Sequence, residues 1–210
     1  MSVHTHGHDH SHGLVHASIK RSRAGLRAVS LSLAVLLLTA LAQAAVFIAT
    51  GSVALLSDLV HNAGDALTAV PLGVAFLLRS HVAERRAGYF VVATIFASAC
   101  VAAFEAIDRL LSPQDLDRLG ALAVAGLIGF AGNELAARVR LRAGRRLDSP
   151  ALIADGRHAR TDGLVSLGVV GSAATAAFGF RLGDPLIGLA IALVILRVTW
   201  HSLATIRGTA

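Results

Sequence analysis

Long apolar stretches alternate with short polar segments along the chain, at roughly 26–49, 53–78, 88–111, 119–139, 150–180 and 185–203. A helix needs about 20 mostly apolar residues to cross a bilayer, and all six stretches meet or approach that length. The punctuation agrees with the hydropathy. Ser149-Pro150 and Asp184-Pro185 each set an N-cap side chain before a proline at the first helical position, where the missing N–H is no loss. Pro113 follows the third stretch as a stop signal, and Pro71 lies inside the second, where it predicts a kink about two turns after Asp65. The pattern predicts an all-α, polytopic membrane protein with six transmembrane helices. Residues 1–25 form a His-rich cytoplasmic tail in this reading, residues 26–207 form the transmembrane domain, and no C-terminal cytoplasmic domain follows.

Basic residues orient the spans, because cytoplasmic loops carry excess Lys and Arg. Lys20, Arg21, Arg23 and Arg27 precede span one, and Arg79, Arg85 and Arg86 separate spans two and three. Arg138, Arg140, Arg142, Arg145 and Arg146 are read as the segment between spans four and five, whereas the opposite loops offer only Arg118 and Arg181. Both termini are therefore expected in the cytoplasm. Spans two and five then run antiparallel, and two three-span halves of opposite orientation suit an inverted repeat.

Composition supports a membrane protein: of 210 residues, 55% are hydrophobic and 15% charged, against roughly a quarter charged in an ordinary soluble domain. The net charge of +6 sits in clusters between apolar segments rather than along one polar face, so no nucleic-acid partner is expected. Cys100 is the only cysteine, which excludes an intrachain disulfide and a thiolate cluster within one chain. Any metal bound here meets nitrogen and oxygen. The N-terminus has no apolar core of the kind a cleavable signal carries and is expected to be retained. Its His4, His6, His8, His10, His12 and His16 read either as a flexible, low-affinity metal-attracting tail or as a solvated segment.

One triplet occurs twice. Asp58, His61 and Asp65 stand in DLVHNAGD on span two, and Asp155, His158 and Asp162 stand in DGRHARTD on span five. Positions i, i+3 and i+7 share one helix face, so each copy presents carboxylate, imidazole and carboxylate as a stripe. Ionisable groups at membrane depth mark function by default, although polar residues also hold bundles together. His61 and Asp65 with His158 and Asp162 make two i, i+4 couples, a set suited to tetrahedral Zn²⁺ and poorly suited to Mg²⁺ or Ca²⁺. Two carboxylates and two neutral imidazoles leave the occupied site neutral, and the same groups bind protons when the metal leaves. Metal/proton antiport by alternating access follows, with zinc as the transported substrate. Asp58 and Asp155 are expected either to orient the imidazoles, to line the access route, or to act as water-facing or capping groups. Arg157 and Arg160 interrupt the span-five ligands, so a cytoplasmic water-filled cavity into which they snorkel is expected.

Other charges read as structural. Glu105, Asp108 and Arg109 have the spacing for local pairing, and Glu134 sits near the cytoplasmic end of span four. Gly126, Gly129, Gly132, Gly168 and Gly171 are expected at close helix contacts, and Tyr89 and Trp200 at membrane interfaces.

The chain resembles the cation diffusion facilitator family of zinc transporters from about Ser30 to Leu203. The most specific matches are GSVALLSDLVHNAGD and ALIADGRHARTDGLVSL, supported by EAIDRLLSP and DPLIGLAIALVIL. The resemblance implies six transmembrane helices, cytoplasmic termini, a homodimer in a bacterial-type cytoplasmic membrane, and a transport site at His61, Asp65, His158 and Asp162. A histidine in the span-two pair resembles the zinc-preferring branch, with Cd²⁺ or Co²⁺ as further substrates. Many members continue into a cytoplasmic domain after span six, whereas this sequence stops shortly after Leu203. The loop between spans two and three lacks the ligands some members carry there, unless His81 serves. The competing functions are a membrane metalloenzyme or a non-transporting metal sensor. The richer histidine sets or His-Glu-x-x-His helix that an enzyme needs do not occur, so no enzyme is expected.

Overall fold

The computed structural model describes residues 12–50, 69–112, 118–180 and 182–208, with side chains from Arg21 onward. Among the described residues every regular element is a helix: α1 (His12–Thr50), α2 (Ala69–Leu77), α3 (His81–Leu111), α4 (Leu119–Arg146), α5 (Pro150–Ala177) and α6 (Gly183–Arg207). Four of them, Arg21–Ala49 within α1, α3, α4 and α6, are long and apolar enough to cross a membrane. α5 is as long as α4, but its first half carries Asp155, Arg157, His158, Arg160 and Asp162. Helix α1 begins at His12, well before the expected Leu26, because extending an existing helix by a turn is far easier than starting one. The part of span two before Ala69, with the expected kink, lies outside the described residues.

Polarity in the bundle is inverted relative to a soluble protein. Leu38, Leu41, Ile48, Phe104, Leu111, Phe178 and Trp200 are exposed, whereas Ser32, Gln43, Asn133, Arg140, Asp155, His158, Asp162 and Ser166 are buried. Such a surface is at rest only in hydrocarbon. The interior is correspondingly built of small side chains, since lipid supplies no hydrophobic drive between helices and close backbone approach must do so.

Helices α4 and α5 form the central antiparallel pair. A Cβ added at Gly126 would stand 2.7 Å from the Ser166 carbonyl oxygen, and one at Gly144 would stand 2.9 Å from the Ile153 nitrogen. Likewise a Cβ at Gly156 would meet Leu141 at 2.8 Å and the Arg140 stem at 3.1 Å. The contact therefore runs almost the full length of both helices. On the other side α1 lies along α4, with Thr39 over Gly132 and the Gln43 amide donating to the Ala125 carbonyl at 3.2 Å. α6 packs on α5 through Ile187 and Ile191 over Gly168 and Gly171, and on α3 through Ile206 over Gly88. The expected close contacts at Gly126, Gly129, Gly132, Gly168 and Gly171 are all present.

The α4–α5 turn is made by Leu147, Asp148 and Ser149. Asp148 takes the left-handed conformation (φ 48°), and Ser149 caps α5 by accepting from the Leu152 N–H at 3.2 Å, with Pro150 next to it as expected. Asp184 does not cap α6. That helix starts at Gly183 without a side-chain cap, leaving the Asp184 carboxylate in the first turn, where it suits the helix dipole.

These contacts set a stability prediction. Gly126→Ala forces the α4 and α5 backbones apart and is expected to cost about 1–3 kcal/mol, as overpacking does. Gly120→Ala, with open space around the new methyl, is expected to leave the melting temperature of the detergent-purified protein unchanged or slightly raised. Equal melting temperatures for the two variants would contradict the α4–α5 contact.

Candidate functional site

The capped start of α5 fixes the rotation of its first half, and that rotation turns Asp155, His158 and Asp162 inward. Their exposures are 0%, 1% and 4%. His158 Nδ1 lies 3.5 Å from Asp162 Oδ1, so the i, i+4 couple expected from spacing is formed. At 1.5 Å per residue His158 lies about 13 Å along the axis from the Ser149 cap, well inside the bundle. Asn133 and Gly163 meet at this level, where a Cβ on the glycine would stand 3.4 Å from that of Asn133.

The interposed arginines leave in other directions. Arg157 reaches α6, donating to the His201 carbonyl at 3.1 Å and the Thr205 hydroxyl at 2.7 Å. Arg160 grips Glu134 of α4 with two hydrogen bonds, at 2.9 and 3.0 Å, and Arg138 holds the same carboxylate at 2.9 Å. Both arginines are thus tied to neighbouring helices rather than drawn towards His158, which explains how they interrupt the ligand stripe in sequence without entering it in space. Glu134 is paired structurally, as expected.

Asp58, His61 and Asp65 fall outside the described residues, as do His4, His6, His8 and His10. His12 and His16 lie within the first turns of α1, and their side chains are likewise outside the description. Among the described residues no three His, Cys, Asp or Glu side chains gather closely enough to hold a metal ion. α5 by itself therefore offers a His–Asp couple, and a complete ligand shell needs groups from elsewhere.

Three expectations change. Asp155 is neither water-facing nor a cap: it is fully buried, 3.2 Å from Nε of Arg140, itself 1% exposed. Arg140, expected in the loop between spans four and five, is interior because α4 continues to Arg146 and carries it inside. Arg109 does not pair with Glu105 or Asp108. The end of α3 lies beside the start of α6, and Arg109 donates to Asp184 at 2.8 Å instead.

Sequence reasoning missed a second polar assembly, at the end of the bundle where α1 and α3 begin and α6 ends. Glu84, 6% exposed, accepts from both terminal nitrogens of Arg21 at 2.9 and 3.1 Å and from the Ser149 hydroxyl. Arg21 Nε also donates to the Leu147 carbonyl at 3.0 Å. One carboxylate thereby joins α1, α3 and the α4–α5 turn. An adjoining cavity of about 530 Å³ is lined by Arg21, His81, Glu84, Arg85, Asp148 and Ile206 among others. The available signal was Glu84, an acidic residue in the first turn after Ser80, which caps α3 through the Ala83 N–H.

An apolar exterior around a buried row of polar side chains defines an integral, multi-pass membrane protein. The chain belongs to the cation efflux family: residues 29–205 match the cation efflux transmembrane domain. It is 50% identical over 204 residues to a probable cation efflux system protein of Mycobacterium tuberculosis, covering 92% of this chain and 61% of that protein. An uncharacterized transporter of Synechocystis is 36% identical over 167 residues, covering 73% of this chain and 54% of the relative. The magnetosome protein MamB of Magnetospira is 26% identical over 165 residues, with 71% and 55% covered. The chain thus spans only about three fifths of the length of the Mycobacterium relative.

The two charge clusters differ in burial, and so in expected worth. Glu84→Ala removes a buried acceptor shared by three donors and is expected to destabilise by about 1–3 kcal/mol. Arg160→Ala leaves Glu134 still held by Arg138 and is expected to destabilise less than Glu84→Ala. Thermal melting of the two variants in detergent checks the order, which the reverse ranking would refute.

Proposed function

We propose that this domain exports a divalent metal cation, Zn²⁺, from the cytoplasm in exchange for protons. It does so through a tetrahedral site made by His61 and Asp65 of span two with His158 and Asp162 of α5. The observation that carries the reading is the buried His158–Asp162 couple on a helix of a cation efflux domain. In this reading the chain has six spans with both termini cytoplasmic, works as a homodimer in a bacterial cytoplasmic membrane, and catalyses no covalent reaction. The N-terminal histidines gather metal loosely near the cytoplasmic mouth.

The chemistry follows from charge. A dication entering hydrocarbon is prohibitive unless countercharge travels with it or waits for it. Two carboxylates waiting at the site neutralise it, and two imidazole nitrogens complete the shell without adding charge. After release the same carboxylates face each other without a cation, and protons restore neutrality. Imidazole, with an ordinary pKa near 6.5, and carboxylate together supply proton acceptors over the cellular pH range. Metal and protons then alternate on one set of groups, and an inward proton gradient drives metal outward. Cd²⁺ and Co²⁺ share enough of the ligand preference to be transported as well.

Purified protein in liposomes loaded with a zinc-sensitive dye tests the proposal. Zn²⁺ flux is expected to rise when a pH gradient opposes the direction of metal movement, and to fall to the protein-free level in Asp162→Ala and Asp65→Ala. Retained melting temperature in those variants separates loss of site from loss of fold. Normal flux in both variants would defeat the site assignment, and flux blind to the pH gradient would defeat the exchange mechanism.

A further inference from the structure

The stripe on α5 begins with a carboxylate that the proposed ligand set does not use. Asp155 has the same helical face as His158 and Asp162 and the same depth of burial, so its chemistry would suit it for a metal ligand. What distinguishes it is Arg140. The guanidinium Nε stands 3.2 Å from Asp155 Oδ2 and donates to the Ser32 hydroxyl at 2.8 Å, which in turn donates to the Val29 carbonyl at 2.9 Å. Three helices thus hold the cation in place, and Gly156, next to Asp155, admits the Arg140 stem.

The pair is held by charge rather than by a well-formed fork. Among the described residues neither oxygen of Asp155 has a hydrogen-bond partner, and neither does Nη2 of Arg140. A pairing chosen to bolt two helices together would use the bidentate geometry that guanidinium and carboxylate favour. Here the guanidinium spends its Nε on a serine and covers the carboxylate electrostatically.

A permanent cation one turn from a dication site opposes metal binding, so its presence calls for a reason. Transport supplies one: a site must bind its ion well enough to admit it and weakly enough to let it go. Ligand charge count is the main lever on cation affinity, and a third carboxylate in reach would deepen the site. We infer that Arg140 is a positioning residue that holds Asp155 out of the metal's coordination sphere, limiting the site to two carboxylates so that it can release its metal. The inference rests on the ligand set proposed above.

Zn²⁺ titration calorimetry on the full chain in detergent and Zn²⁺ uptake in liposomes test it together. Arg140→Gln frees Asp155, and Kd and KM are expected to fall about tenfold while kcat also falls about tenfold. A purely structural role for the pair predicts loss of binding and uptake together. Replacing both charges, Arg140→Met with Asp155→Leu, is expected to bring Kd and kcat back within about threefold of the unmodified protein, since apolar replacement of a buried pair is commonly tolerated. Arg140→Lys keeps the charge and is expected to keep the unmodified Kd. Unchanged or weakened binding in Arg140→Gln overturns the inference. So does a double variant that melts normally but no longer binds zinc, because Asp155 would then be a ligand. Asp162→Ala serves as the control: undiminished zinc affinity there would show that the ligand set itself is wrong, whatever Arg140 does.

Discussion

A charged side chain inside a bilayer has to be compensated by something within a few ångströms, because neither water nor a distant counterion can reach it. The arrangement of α4 and α5 is largely an answer to that requirement. Arg140 and Asp155 are both almost wholly inaccessible, and they are tolerable only as neighbours. Breaking such a pair from one side strands a buried charge, which costs about 3–5 kcal/mol. The register between the two helices is thereby pinned at this level. Towards the far end of the bundle Asn133 meets Gly163 and Gly126 meets Ser166 in the same register.

Charge compensation requires close approach, and close approach requires small residues. Gly144 and Gly156 let the backbones of α4 and α5 come near enough for an arginine stem to lie between them. Gly129 and Gly132 do the same for α1, where Ser32, Thr39 and Gln43 form one polar edge facing α4. The interior is polar and thinly padded, while bulk such as Leu38, Phe104 and Trp200 is turned outward. Polar groups are affordable inside because each helix satisfies its own backbone, leaving only side chains to be matched. At the end that gathers the starts of α1 and α3, Glu84 applies the same rule with three donors.

Much of this was legible in the sequence because hydropathy and helix punctuation are local signals. The Ser149-Pro150 start of α5, the Leu119 start of α4 and the glycine contacts all follow from residues within a turn of one another. The i, i+4 couple of His158 and Asp162 was legible for the same reason. Partnerships between helices were not. Arg140 looks like a member of a loop cluster because four other arginines surround it, and only the length of α4 past Val139 shows that it is interior. Arg109 had Glu105 one turn back on its own helix, yet Asp184 on α6 won, being presented by a helix start adjacent in space. The polar edge of α1 carried a readable spacing, Ser32, Thr39 and Gln43 at seven and eleven residues, but hydroxyls and amides raise little alarm in an apolar run.

The two carboxylates on the α5 stripe show how one helix can serve two electrostatic purposes. They share a face and a burial class, and they differ in the base beside them. Asp155 has a guanidinium at 3.2 Å, a partner with donors only and no lone pair to offer a metal. Asp162 has an imidazole at 3.5 Å, which offers a lone pair when neutral. A guanidinium takes up the charge of its carboxylate, whereas a neutral imidazole adds a second ligand atom beside the carboxylate. On the proposed function, the stripe is therefore divided by its neighbours rather than by its own residues. The same division accounts for an Asp-His-Asp stripe on α5 in which only the histidine and the second aspartate are assigned to the metal.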